Sequence, residues 1–354
     1  ARVNTKDEIS GEYHPNRTAL LSELDYARQI LNDKKIQDVI TVDQKISTTR
    51  NGHLGFSSLS DLQPLGISVR EGEQITVYVG TTGGIMPQVV FTQYYAEASV
   101  WKQSVTNLKK GANIITVPKI GTMATERGGS VYIRYPSSKE SGILKVRVSG
   151  GTKIPYLDVH NVEDEAEAKA AIKTYITELK AYTEKLEGMY SDNGEDFDAS
   201  TSVLNTTEIA CKRGLFSIAA TSAYNGISTN LSSIDDQVTR LYNSLVAFDQ
   251  MATLFYNHKG LSDNPAEAID KTPSSYINIR AMRMFDGAFM YAGGDHIGIG
   301  HGSAPGMVQG RPNTVTNGEV TTTGFFGWGI SHELGHQINQ GKIAYAEVTN
   351  NIFA

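Results

Sequence analysis

Hydrophobic and polar positions change their rhythm twice along this chain of 354 residues. Between Thr18 and Gln44, Leu20, Leu24, Ala27 and Leu31 fall at helical spacing, which predicts an N-terminal helical segment over residues 1–45. An alternating pattern follows. Ile67 and Val69, then Ile75, Val77 and Val79, are interleaved with polar residues on either side of Glu71, Gly72 and Glu73, and read as two strands and a turn. Similar runs at Val89 to Tyr95, Asn113 to Val117, Val131 to Tyr135 and Ile143 to Val148 are evenly spaced, with Gly- and Pro-containing turns between them. They predict an antiparallel β-sandwich over residues 46–155, ending near Gly150 and Gly151.

Beyond Pro155 the period becomes helical again. Glu163 to Tyr190 is rich in Ala, Glu, Lys and Leu, with Ile172, Ile176, Leu179 and Leu186 as its apolar stripe and a dense mixed charge that marks a solvated face. Val238, Leu241, Leu245, Phe248, Met251 and Phe255 form a second stripe, that of a core helix. The fold expected is therefore α+β and multidomain, with the sandwich followed by a mainly helical unit over residues 156–354. No repeat of solenoid length is present.

A shorter helical pattern near the end carries chemistry. Ile330, Leu334 and Ile338 recur every four residues, about two hundred degrees from the line of Trp328, His332 and His336. Thr323 can cap the start of such a helix, and Gly341 suits the left-handed residue that ends one. The aliphatic line faces a core and both imidazoles face a cleft, one turn apart and within reach of a single ion. Glu333, rotated by about a hundred degrees from His332, is poorly placed as a ligand and well placed to meet a water bound to that ion. Such a set suits metal-assisted hydrolysis.

Two imidazoles leave a zinc shell incomplete. The position six residues beyond His336 is Lys342, so the long three-histidine pattern of the metzincins is excluded. After His336 the chain contains no His, Cys or Asp and a single carboxylate, Glu347. A downstream third ligand is therefore Glu347, the alternative being an ordinary surface glutamate. The segment from Ile343 onward lacks Gly and Pro and can form a second, returning helix. Asn350 and Asn351 would then share the face of Glu347 and could hold a ligand imidazole by hydrogen bond, or act as a cap or solvated face.

Composition narrows the field. A formal net charge of -6 without a basic run argues against a nucleic-acid role. Cys211 is the only cysteine, which excludes a disulfide framework and a Cys-based zinc site. No signal peptide is visible at Ala1, and no apolar stretch is long enough to span a bilayer. Gly293 to Gly310 is glycine-rich but lacks the Gly-Lys-Ser/Thr ending of a phosphate loop. Tyr291 to His301 instead reads as an edge strand that pairs with an extended substrate. That places Tyr291, Gly293 and Gly294 as substrate-binding candidates, with Trp328, on the cleft-facing line of the histidines, as a fourth. His296 and His301 read as substitute ligands, intermediate-stabilising groups or polar loop residues.

The residues His332-Glu333-Leu334-Gly335-His336 followed by Glu347-Val348-Thr349-Asn350-Asn351 resemble the signature of the M60-like, enhancin-related gluzincin metallopeptidases. Met290-Tyr291-Ala292-Gly293-Gly294-Asp295 is similar to that family's segment before the zinc helix, and Gly327-Trp328-Gly329 to its approach into the helix. Gly128-Gly129-Ser130-Val131-Tyr132-Ile133 resembles a strand of its leading β domain, so the likeness runs from about Ile67 to Phe353.

The resemblance implies a thermolysin-like gluzincin catalytic domain after the sandwich, in a secreted or cell-surface zinc endopeptidase acting on O-glycosylated, mucin-like proteins. His332, His336 and Glu347 would hold Zn2+, and Glu333 would be the general base. Gluzincin domains usually continue into further helices, whereas this chain stops seven residues after Glu347. The catalytic domain is accordingly expected to be incomplete and poorly active alone. The competing reading is a carbohydrate-binding or adhesive surface protein whose sandwich works while a non-catalytic peptidase-like scaffold supports it. In that reading Trp101 and neighbouring tyrosines form a sugar platform; otherwise they pack in a core and the sandwich braces the catalytic unit.

Overall fold

A computed structural model describes residues 6, 10–15, 17, 21, 40–46, 59–80, 85–94, 103–120, 126–137, 143–285, 287–321, 326–339, 345 and 347–352. The helix expected from Thr18 lies almost wholly outside these residues, as does Trp101. Its last stretch is corrected: Ile40–Asp43 is a strand, in antiparallel register with Ile143–Ser149. Four residues at a sheet edge are too few to set a period against the helical spacing that precedes them.

Two antiparallel sheets stack face to face. One has the order Ile40–Asp43, Ile143–Ser149, Gln74–Val79, Gly111–Thr116. The other has the order Thr152–Lys153, Leu62–Arg70, Gly128–Arg134, Gln88–Thr92, Gln103–Asn107. Val77, Val79, Val146 and Val148 from the first meet Ile67, Val69, Phe91 and Val131 from the second in one buried cluster. Gln103–Asn107 is an edge strand with mostly exposed, polar residues, and its sequence shows no apolar alternation to announce it.

The second unit holds more helix than strand, but its helices stand on a sheet that the sequence pattern does not announce. It is built on a six-stranded mixed sheet in the order Tyr156–Asp158, Thr207–Ala210, Gly214–Ile218, Ile277–Met282, Ile297–Gly300, Met290–Ala292. Thr207–Ala210, Gly214–Ile218 and Ile277–Met282 are buried at every residue. Strands covered on both faces do not alternate, so the period-two signal was absent.

One face of this sheet carries the helices α1 (Glu165–Thr183), α3 (Ala220–Ser228), α4 (Ile234–His258) and α5 (Trp328–Ile338), and the short helix α2 (Leu186–Ser191) follows α1. Ile209, Phe216, Ile279 and Ile297 from the strands join Ile172, Leu241, Phe248 and Ile330 from α1, α4 and α5 in the main core. The single helix expected from Glu163 to Tyr190 is broken between Thr183 and Leu186. Its first part packs on that core, whereas Leu186 and Tyr190 turn into a separate cluster with Tyr94, Val203 and Leu204.

The opposite face of the sheet lies under the sandwich. Tyr156, Glu208, Ser217, Arg280, Gly298 and Tyr291 stand opposite one another across all six strands, so they form one row on this face. Its charged members are buried, and burial demands partners. Tyr132 of the sandwich donates its hydroxyl to Glu208 at 2.7 Å, and Ser217 donates to the other oxygen at 2.7 Å. Arg280 reaches the Tyr132 hydroxyl at 3.1 Å and Thr92 Oγ1 of the sandwich at 3.4 Å. Burial pushes the Glu208 carboxyl above its ordinary value, against the pull of Arg280 and the hydroxyls. A second polar tie joins the units where His160 Nε2 meets Asp43 at 3.0 Å and its Nδ1 meets Asp158.

Candidate metal centre

Helix α5 runs from Trp328 to Ile338, shorter than predicted at both ends. Thr323 and Gly341 lie outside the described residues, and Gly327, at φ 81°, occupies the capping position without a side-chain cap. At the other end Asn339 is already extended. Ile330, Leu334 and Ile338 are buried in the main core, as their spacing predicts. The opposite face turns His332, buried, and His336, half-buried, toward the segment that follows the helix.

That segment is not the returning helix expected from Ile343. Residues 343 and 344 are outside the described residues, and the chain from Glu347 forms a turn that leads into the short 3-10 helix Thr349–Ile352. Glu347 has φ 61°, which no residue of a right-handed helix adopts and which costs a non-glycine residue of order 1 kcal/mol. Thr349 holds the turn, its hydroxyl donating to Tyr345 O and accepting from Tyr345 N, both at 3.1 Å. The result aims the Glu347 carboxylate at both imidazoles. Glu347 Oε2 lies 2.9 Å from His332 Nε2, and Oε1 lies 3.3 Å from His336 Nε2.

These three residues offer ligand atoms that all lie within 4.8 Å of one another, the one such group among the described residues. Tetrahedral donors on bonds of about 2.0–2.2 Å stand roughly 3.4 Å apart, so the spacing suits zinc. Proton bookkeeping supports the same fit. Asn351 Nδ2 donates to Glu347 O at 2.7 Å, which fixes the amide and leaves Oδ1 as acceptor for His332 Nδ1 at 2.7 Å. In the neutral ring Nε2 then presents a lone pair to a carboxylate oxygen. Two such acceptors repel unless a cation sits between them, and a divalent ion answers that need. Asn350 Nδ2 closes one side, 3.1 Å from His332 Nε2 and 3.0 Å from His336 Nε2. Its buried Oδ1 has no partner among the described residues.

Gly335, inside the helical signature, is packed against the backbone and Cβ of Asn350; a Cβ there would collide with Asn350 O. This contact lets the ligand turn approach the helix. Glu333 is half-buried and stands beside the edge-strand residue Ala292, whose backbone N–H favours the charged form of the carboxyl. Burial raises its pKa; the two histidines and the Ala292 amide oppose that rise and Glu347 adds to it, with a raised value as the outcome.

Ala292 belongs to the edge strand Met290–Ala292. Gly293 N donates to His296 O at 2.7 Å and Gly300 N to Phe289 O at 2.9 Å, so the odd-numbered residues bond inward. The main-chain groups of Met290 and Ala292 consequently face the open edge. Met290 also touches the helix, since a Cβ on Gly329 would stand 2.9 Å from its Sδ. Trp328, half exposed, lays its ring 4.3 Å from that of His332. Gly294 is exposed and Gly293 half-buried beside His296. Tyr291 points to the other face of the sheet, where its hydroxyl is 2.6 Å from His296 Nε2. His296 and His301 are not among the metal-binding donors: His296 is held by Tyr291 and Asp295, and His301 lies 3.4 Å from Ser222. Sequence reasoning did not find the Ala292 amide or the room made by Gly335, since a backbone donor and an absent side chain leave no chemical signature.

No protein-family model matches the chain, and no curated protein does. Solved structures do. The ZmpB metallopeptidase from Clostridium perfringens superposes with a TM-score of 0.68 at 24% identity, over 89% of this chain and 57% of that one. The M60 catalytic domain of ZmpC from Clostridium perfringens, in complex with the sialyl T antigen, gives 0.68 at 22% identity over 89% and 55%. A structure with two CBM32 domains and the M60 catalytic domain of ZmpB from the same organism gives 0.73 at 22% identity over 96% and 32%. This chain thus shares the fold of M60 metallopeptidase catalytic domains while spanning little more than half the length of the first two structures.

Proposed function

We propose that the protein is a zinc-dependent endopeptidase that hydrolyses peptide bonds in O-glycosylated, mucin-like proteins outside the cell. The observation that carries this reading is the convergence of His332, His336 and Glu347 beside Glu333 on the rim of an open sheet edge. The fold shared with M60 metallopeptidase domains supports it, and the sialyl T antigen bound by one of them supports the substrate class. No described helix is long and apolar enough to cross a membrane.

His332, His336 and Glu347 would hold the ion, with Asn351 keeping the His332 proton on Nδ1. Zinc bound there supplies Lewis acidity, polarising the scissile carbonyl and acidifying water. Glu333 takes the proton of the attacking water. The outward main-chain groups of Met290 and Ala292 pair with an extended peptide, and Trp328 flanks it. The sandwich braces this unit through Tyr132 and Thr92.

The test is Glu333→Gln, assayed by mass spectrometry on O-glycosylated peptides with zinc content measured in parallel. Turnover should fall by at least about a hundredfold while zinc is retained. Undiminished turnover would overturn the mechanism.

A further inference from the structure

The face of the sheet turned away from α5 holds an arrangement that the hydrolytic site does not use. Tyr291, on the edge strand, sends its hydroxyl to His296 Nε2 at 2.6 Å, and His296 Nδ1 lies 2.9 Å from Asp295 Oδ1. The Tyr291 and His296 rings meet edge to face with centroids 5.4 Å apart. His296 is buried, and burial raises the Tyr291 phenol, so the hydroxyl stays a donor. Two glycines make room. A Cβ on Gly293 would stand 2.7 Å from His296 Cε1, and one on Gly298 would run into the Tyr291 ring. The ring therefore lies across Gly298, the place in the cross-strand row between Tyr291 and Arg280. Arg280 lowers the pKa of both Tyr291 and Asp295 by its charge and is itself hydrogen-bonded to the sandwich.

An edge strand of three residues, paired on one side only, has little of its own to hold it. Yet this strand packs against α5, the helix that carries Glu333, and offers the open edge for substrate. We propose that Tyr291 is a positioning residue: locked to His296 and Asp295 behind the sheet, it fixes the edge strand against Glu333 and the incoming peptide. The proposal deepens the peptidase reading and rests on it. It moves Tyr291 from direct substrate contact to the back of the strand that makes the contact.

Tyr291→Phe tests it, because the ring that covers Gly298 is kept and only the hydroxyl is lost. Hydrogen exchange read by mass spectrometry should quicken by about tenfold in the peptide that contains Met290–Ala292, with α4 unchanged. KM for an O-glycosylated peptide should rise several-fold more than kcat falls, with zinc affinity unchanged. Faster exchange with unaltered KM would overturn the positioning role, and unaltered exchange would overturn the lock. A wild-type protein that cleaves no peptide would sink the function proposed above, while the exchange measurement would still decide the lock. His296→Gln, which can accept the Tyr291 hydroxyl through its amide oxygen, should exchange more slowly than Tyr291→Phe; equal exchange would count against the hydroxyl contact.

Discussion

Asn351→Ala isolates the residue that orients His332. Two hydrogen bonds disappear, each 2.7 Å long: the acceptor for His332 Nδ1 and the donor to Glu347 O. One of them sets the tautomer and ring angle of one ligand, and the other steadies the left-handed turn that carries the third. Neutral hydrogen bonds are worth about 1 kcal/mol each net of water, so the loss amounts to roughly 1–2 kcal/mol. That corresponds to a zinc affinity about 5–30-fold weaker. Asn351 is exposed, so its truncation should leave the thermal unfolding of the zinc-free protein nearly unchanged. Competition against a chromophoric chelator measures the affinity. Asn351→Asp gives an internal control, because it keeps an acceptor for Nδ1 and gives up only the donor to Glu347. The order expected is wild type, then Asp, then Ala. Zinc affinity within twofold of wild type in the Ala variant would refute the tautomer argument.

Two further predictions concern stability and pH. Burial raises the Asp249 carboxyl to about 6, although it accepts the Arg213 amide at 2.8 Å. An acid whose folded pKa is raised leaves the protein most stable below its unfolded value near 4 and costs stability as pH rises through about 6. Asp249→Asn should therefore gain on the order of 3 kcal/mol at pH 7.5 and nothing at pH 4, as urea unfolding at the two pH values will show; equal effects at both would contradict it. Burial pulls the His160 imidazole down, but Asp158 and Asp43 outweigh it, and its pKa stands above the ordinary value. Its contribution is complete below about pH 6.5 and is lost as pH rises through the raised pKa. The decline in urea midpoint above pH 6.5 should be smaller in His160→Gln, and an undiminished decline would rule His160 out as its source.

Legibility in the sequence followed burial. Strands of the sandwich with one face on a core alternate visibly, as Val77 and Val79 do, and the stripe of Ile330, Leu334 and Ile338 places α5 by simple counting. Strands buried on both faces, such as Gly214–Ile218, had no period to read, and the sheet that carries the site stayed hidden inside a stretch taken as helical. The break after Thr183 arises from two separate cores, which a single amphipathic stripe cannot reveal. At the site, the helix spacing indicated which imidazoles share a face, and the scarcity of downstream carboxylates singled out Glu347. The positive φ of Glu347 was not foreseeable, because glutamate offers no local preference for it.

The bare Cα of Gly335 has a wider meaning for the grip on a cation. Helical geometry alone sets the span between the two rings, but the reach of the third donor depends on how tightly two main chains nestle at this point. A methyl group there would act as a wedge, prising the carboxylate away while leaving every coordinating atom chemically intact. The tightness of the jaw is thus governed by a place where the protein has put nothing at all.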